Sequence, residues 1–268
     1  MIALNNAIFF CEILGFKKII LEKSDDLYIK HIIVNTKFNL TIEPQYLNKN
    51  SLEKSLVFPL ISFFYHYQYI KPENRFNIIK KEILNNLPKI ETNNNDLYIH
   101  IRSGDIFEIP IKTAYSQPPL CFYRKIIQGF KFRKVFIISE NTENPIINLL
   151  LKEFNNVIYN KNHLNYDISY LANSYNIVSS ISSFFTSIIK LNDKLRFLWE
   201  YDFYSLSQRF FHLHYSVYNI PHNYTIYRMK PSNYYKKVMN IWYNTLEQRK
   251  IMITEKCKSE FVVVEPTS

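Results

Sequence analysis

Residues 97–105 read Leu97-Tyr98-Ile99-His100-Ile101-Arg102-Ser103-Gly104-Asp105. A short apolar run here ends in a polar His-x-Arg-x-Gly-Asp turn, the pattern of a buried strand that stops at a loop. From here the pattern along the chain is regular. Pro119 to Phe130 reads as a helix with proline at its start, and Lys134 to Ser139 as a strand. A helix over Asn144–Phe154 opens on Asn144-Pro145. Asn156 to Tyr159 is a strand, Tyr166 to Ser174 a helix, Asn176 to Ser179 a strand, and Ser182 to Leu191 a helix. Strand and helix alternate four times with short connectors, which predicts an α/β fold with a doubly wound parallel sheet. Such sheets bind ligands beyond the carboxyl ends of their strands, often at helix N-termini.

Outward from this core the patterning changes. Asn6 to Leu14 has helical spacing with Gly15 as a C-cap, and Lys17 to Leu21 reads as a short strand. Residues 27–43 alternate apolar and polar and predict one or two strands. The aromatic run 51–71 does not choose a state. Asn74 to Leu87 has helical spacing, and Pro88 to Asp96, with three consecutive asparagines, is the clearest linker. Residues 198–250 are aromatic and helical in part. They either cover the sheet or line a groove. The expected domains are 1–95, an N-terminal α/β half; 96–190, the parallel-sheet half; and 191–268, an aromatic, partly helical C-terminal segment.

Of the 268 residues, 47% are hydrophobic and 16% aromatic, which excludes a disordered chain. Only three are glycine, so multi-glycine phosphate loops are excluded as well. No stretch reaches the roughly 18 apolar residues of a membrane span, and no signal peptide is visible at the start. The net charge of +10 favours anionic partners such as phosphorylated small molecules, or reflects a Lys/Asn/Ile compositional bias. The basic residues are dispersed, so no nucleic-acid partner is expected. Cys11, Cys121 and Cys257 are too few and too widely spaced for a disulfide framework, although one bridge is possible. They offer no zinc pattern either. His212, His214 and His222 read as structural. The sequons at Asn39 and Asn223 are expected by chance in so Asn-rich a chain.

Three motifs fall where a parallel sheet places ligands. In the first, Arg102 at a strand end offers a planar fork for phosphate, with Asp105 holding it or orienting His100. The alternative is an Arg–Asp pair that closes the turn, with His100 a core residue. In the second, Ser139, Glu140 and Asn141 end a strand and contact a ribose or base, or only cap the next helix. The third runs from Asp167 to the hydroxyl-rich turn Ser179-Ser180-Ile181-Ser182-Ser183-Phe184. This turn is an anion site without glycines, or a plain N-cap at Ser182 or Ser183.

In order and spacing these motifs resemble the fucosyltransferase superfamily of α1,2-, α1,6- and protein O-fucosyltransferases. His100, Arg102, Gly104 and Asp105 resemble its first signature, and Phe136 to Glu140 its strand ending in Ser-Asp or Ser-Glu. Tyr115 to Tyr123 falls at its tyrosine-containing helix start. Asp167 to Leu171, Asn176-Ile177-Val178 and Ser182-Ser183-Phe184 resemble its Asp…Leu…Asn-Ile-Ile…Ser-Thr-Phe signature. The resemblance covers residues 96–190. It implies a GT-B-like fold with a Rossmann-like, nucleotide-sugar-binding donor half. The implied chemistry is inverting, metal-independent transfer of fucose from GDP-fucose to a glycan or glycoprotein acceptor, in the Golgi or endoplasmic reticulum. It implies that Arg102 grips the donor β-phosphate, that Ser182, Ser183 and Phe184 hold the phosphates, and that Asp167 recognises the base. His100, Asp105 and Glu108 are the candidates for general base. Alternatives are another nucleotide sugar, or a non-catalytic chain that binds a glycan or nucleotide.

The chain also departs from the family pattern. The Gly-x-Gly-Asn-x-Leu turn that usually follows the first strand is missing, so the N-terminal half is expected to be truncated, without any upstream anchor. Ser103 stands where many members carry a second arginine, and Phe185-Thr186 where some carry tryptophans.

Overall fold

The computed structural model describes residues 18–22, 32–34, 40–45, 80–81, 84–85, 87–107, 115–202 and 223–264. The chain divides into two compact units, Met1–Lys89 with His163–Ser169, and Ile90–Asn162 with Tyr170–Ser268. The first change of unit falls inside the Pro88–Asp96 stretch.

In the first unit β1 (Lys18–Glu22), β2 (Ile32–Val34) and β3 (Leu40–Gln45) form a sheet of order β1-β3-β2. β1 lies parallel to β3, with Lys18 opposite Thr41, and β2 lies antiparallel to it, with Ile32 opposite Ile42. Strands were expected at these places. The helix expected over Asn6–Leu14, the aromatic run 51–71 and most of the helix expected over Asn74–Leu87 lie outside the described residues. So do Glu108, His212, His214 and His222.

The second unit is an α/β sheet of seven strands. They are β4 (Leu97–His100), β5 (Val135–Ile138), β6 (Val157–Tyr159), β7 (Asn176–Val178), β8 (Phe197–Tyr201), β9 (Thr225–Met229) and β10 (Phe261–Val264), in the order β10-β9-β8-β7-β4-β5-β6. Every neighbouring pair is parallel except β9 and β10. The six parallel strands therefore follow the order of a doubly wound sheet. Their sequences fit that burial: all four residues of β4 and all three of β7 are buried, so each reads as a continuous run rather than an alternation.

Four helices connect β4 through β8 in turn: α1 (Leu120–Gly129), α2 (Pro145–Glu153), α3 (Leu164–Asn173) and α4 (Ser183–Ile189). Pro119 precedes α1. Asn144 caps α2 by accepting from the Ile146 N–H at 3.1 Å, with Pro145 at the first position, where its missing N–H costs nothing. The inner face of α1 buries Leu120, Phe122, Tyr123, Ile126 and Ile127. At about 1.5–3 kcal/mol for each large side chain, that face is a main reason the helix stays on the sheet.

The segment 191–268, expected to be aromatic and partly helical, carries α5 (Asn233–Met239) and α6 (Leu246–Thr254) and also adds three strands to the sheet. Phe197-Leu-Trp-Glu-Tyr201 is rich in aromatic residues and Thr225-Ile-Tyr-Arg-Met229 adds β-branched ones, both of which favour a pleated surface. Trp199 and Tyr227 sit in register and stack at 5.3 Å with planes 11° apart. Helix α6 carries a complete capping box between Thr245 and Gln248. Cys121 in α1 and Cys257 after α6 are disulfide-bonded, their Cα atoms 5.6 Å apart. No helix of the described residues is long and apolar enough to cross a membrane.

Candidate functional site

The strand order reverses between β4 and β7. From β4 the chain moves outward to β5 and β6; from β7 it moves the other way to β8 and β9. Loops leaving two such strands diverge and open a crevice at their carboxyl ends. Beyond β4 come Ile101 to Phe107, and beyond β7 come Ser179 to Phe184. Register places Ile99 opposite Ile137 on one side and Val178 on the other, so the ends of β4, β5 and β7 lie level. The site is built from these three ends.

His100 closes β4. It is 6% exposed, and its Nδ1 lies 2.6 Å from the Ser180 hydroxyl. Its ring packs against Phe184 at 5.3 Å and Phe185 at 5.8 Å. Burial first, and the nearby Arg102 second, lower its pKa to about 3. A neutral imidazole of that acidity is a poor proton acceptor at neutral pH. Its place in the fold is as a tie from β4 to the turn after β7. Ser180, which sequence reading does not single out from its turn, is the other half of this tie.

Arg102 projects from the turn after β4. Its Nη2 donates to Asp105 Oδ1 at 2.7 Å, and its guanidinium carbon sits 5.5 Å from the centre of the Tyr115 ring. Its Nε is buried without a hydrogen-bond partner. The Arg102 side chain is 25% exposed and that of Asp105 61%. An ion pair so open to water contributes at most about 1 kcal/mol. Asp105 orients the fork without saturating it, because a guanidinium carries five donors.

The turn itself is held rigidly. Gly104 has φ of +63°, a region that only glycine enters cheaply, and a side chain there would run into the Glu140 carboxylate. Asn141 Oδ1 accepts from the Ser103 hydroxyl at 2.5 Å and from the Gly104 N–H at 3.1 Å. Ser103 in turn accepts from the Asn144 N–H at 2.9 Å, and Asn144 Nδ2 donates to the Arg102 carbonyl at 3.0 Å. The 3-10 turn Gly104–Phe107 follows. Ser103 is thus a 1%-exposed structural tie. Asn144, the cap of α2, is the hub that fixes the backbone of Arg102. No local pattern in the sequence marks this network, whose partners lie 37–42 residues apart.

The other expected residues divide. Ser139 is buried, and its hydroxyl donates to the Asn141 carbonyl at 3.0 Å, closing the turn after β5. Glu140 is exposed beside Gly104. Ser182 is the N-cap of α4, its hydroxyl accepting from the Phe184 N–H at 3.2 Å. Ser183 is the first residue of α4. Asp167 is buried in the first turn of α3, in the stretch grouped with the first unit. His100, Arg102, Asp105, Glu140, Ser182 and Phe184 therefore all lie at or just beyond the carboxyl ends of β4, β5 and β7. Among the described residues, no group of three or more His, Cys, Asp or Glu is gathered as metal ligands.

No protein-family model, curated protein or solved structure matches the chain.

Proposed function

We propose that the chain is a glycosyltransferase of the fucosyltransferase-like, GT-B type, with the second unit as its nucleotide-sugar half. In this reading an acceptor hydroxyl on a glycan or glycoprotein attacks the anomeric carbon of GDP-fucose, its proton passes to a carboxylate base, for which Asp105 is the candidate among the described residues, and the bond from the anomeric carbon to the β-phosphate oxygen breaks as GDP leaves. The new bond forms on the opposite face of the sugar. The leaving diphosphate gains charge, which fixed donors stabilise. Arg102 is the donor of choice, one charge-assisted bond of this kind being worth about 1.5–3 kcal/mol. His100 positions the Arg102 turn against the turn after β7, and Phe184 packs on its ring beside the crevice.

The observation that carries the reading is the state of Arg102. It stands beyond β4 at the reversal of strand order, held by Asp105 and by the Asn144-anchored backbone, with its Nε buried and unpartnered. The Cys121–Cys257 bond supports an oxidising compartment, in keeping with the secretory pathway.

The test is a thermal-shift titration with GDP, UDP and CMP on the intact chain and on Arg102→Ala. GDP at 100 times its dissociation constant adds about 2.7 kcal/mol to the stability of the intact chain. The variant loses that gain while unfolding as cooperatively as before. Stabilisation by none of the three nucleotides, or undiminished stabilisation of Arg102→Ala, refutes the phosphate-clamp role.

A further inference from the structure

A second concave site lies at the other end of the same sheet. It is a cavity of about 230 Å³ at the amino ends of β4, β7 and β8. Because these strands are parallel, this end faces away from the Arg102 turn. Phe130, Phe132, Phe197, Trp199 and Tyr227 supply its apolar wall. Trp199 is the hub: Phe130 and Phe132 meet it edge-on, at 72° and 86°, while Tyr227 stacks on it. Trp199 is 1% exposed, and its indole N–H is buried with no hydrogen-bond partner. Phe197, at 37% exposed, opens the wall to solvent.

The polar part is equally defined. Asn94, Asn95 and Lys131 line the mouth. Asn176 anchors this rim by donating to the Asn94 carbonyl at 2.7 Å and the Asp96 carbonyl at 2.9 Å. Among the described residues, no partner engages the side chains of Asn94, Asn95 or Lys131, and no acid lines the cavity.

We infer that this cavity is a sugar-binding site that takes one pyranose ring of a glycan. Three properties select the ligand. The volume admits one such ring but falls below the roughly 300 Å³ at which sites for larger ligands begin. Amide side chains both donate and accept, matching vicinal hydroxyls that do the same; an anion would use only their donors. Phe132, Phe197 and Tyr227, none of them fully buried, offer apolar surface to the C–H face of a pyranose. An aromatic pocket could also take a quaternary ammonium, but the Lys131 ammonium at the mouth opposes a cation. The inference does not rest on the proposed activity, since the cavity shares no residue with the Arg102 turn.

The test uses the intact chain with methyl glycosides of glucose, galactose, mannose and N-acetylglucosamine, followed by ligand-observed saturation-transfer NMR and calorimetry. Indole acetate and tetramethylammonium are the counter-probes. At least one glycoside binds saturably with a millimolar dissociation constant. Asn95→Ala and Lys131→Ala, which remove exposed side chains that bond to no other described residue, weaken it by about tenfold or more. Arg102→Ala leaves it unchanged. The inference is overturned if no glycoside saturates, or if only a counter-probe binds. It is equally overturned if the two rim variants bind as the intact chain does, or if Arg102→Ala abolishes sugar binding. The GDP titration reads the other end of the sheet, so either site can fail without the other.

Discussion

Replacing Asn144 with alanine tests the architecture of the candidate site most directly. The side chain is fully buried and does two jobs at once. Its Oδ1 caps α2 through the Ile146 N–H, and its Nδ2 donates to the Arg102 carbonyl at 3.0 Å. Losing the cap costs about 1 kcal/mol. Leaving the Arg102 carbonyl unsatisfied costs about 1–3 kcal/mol more. The 3.3 Å contact with Gln117 Oε1 is long, so it adds little. Asn144→Ala is therefore expected to lose about 2–4 kcal/mol. At about 2–4 °C per kcal/mol for a unit of this size, Tm falls by roughly 5–15 °C. Asn144→Ser separates the two jobs, because serine keeps a capping oxygen and loses the Nδ2 donor; it should lose only the second, roughly 1–3 kcal/mol, part. Urea unfolding followed by circular dichroism reads both variants, with the midpoint lowered and the m-value unchanged. The reasoning is refuted if Asn144→Ala lies within about 0.5 kcal/mol of the parent chain, or if serine is no better than alanine.

The buried imidazole gives a pH signature. With a folded pKa of about 3 against 6.5, His100 binds a proton only in the unfolded chain between these values. Its contribution is complete above pH 6.5 and is lost as pH falls, by up to about 1.4 kcal/mol per unit. His100→Gln should flatten that slope in stability measured from pH 7 to pH 4, and an unchanged slope would rule out the assignment. Gly104→Ala should cost about 1–2 kcal/mol for its left-handed backbone, and it should weaken GDP stabilisation by displacing the Arg102 turn. Full retention of both would show that the turn adapts. Cys257→Ser should lose about 2–5 kcal/mol, because the bridge closes a loop of 136 residues. A reductant should bring the parent chain down to the variant's stability and leave the variant unmoved.

The parallel half of the sheet is legible in the sequence for a physical reason. Strands buried on both faces read as short apolar runs, and Asn144-Pro145 and Ser182 are local start signals that need no partner. The late strands are less legible. Trp199 and Tyr227 make sense only once they are in register with each other, and an aromatic run such as Phe197 to Tyr201 is too short to separate strand from helix by period. The position of the candidate site follows from the strand–helix alternation, since strand ends carry ligands in any such sheet. The supports of the site do not. Ser103, Asn141 and Asn144 meet across two loops, and the His100–Ser180 tie spans 80 residues. The sugar cavity draws its wall from the approach to β5 and from two more strands, none of which is a motif by itself.

The Cys121–Cys257 bridge has a consequence for biosynthesis. Of the three cysteines in this sequence, Cys11 and Cys121 leave the ribosome before Cys257, so a non-native thiol pair meets an oxidant before the native one can form. The native bond must wait until α6 has emerged. A cell that makes this chain in quantity therefore needs either to keep Cys121 reduced through most of translation or to reshuffle an early Cys11–Cys121 crosslink by thiolate exchange. Yield should then depend on an isomerase more than on the strength of the oxidant.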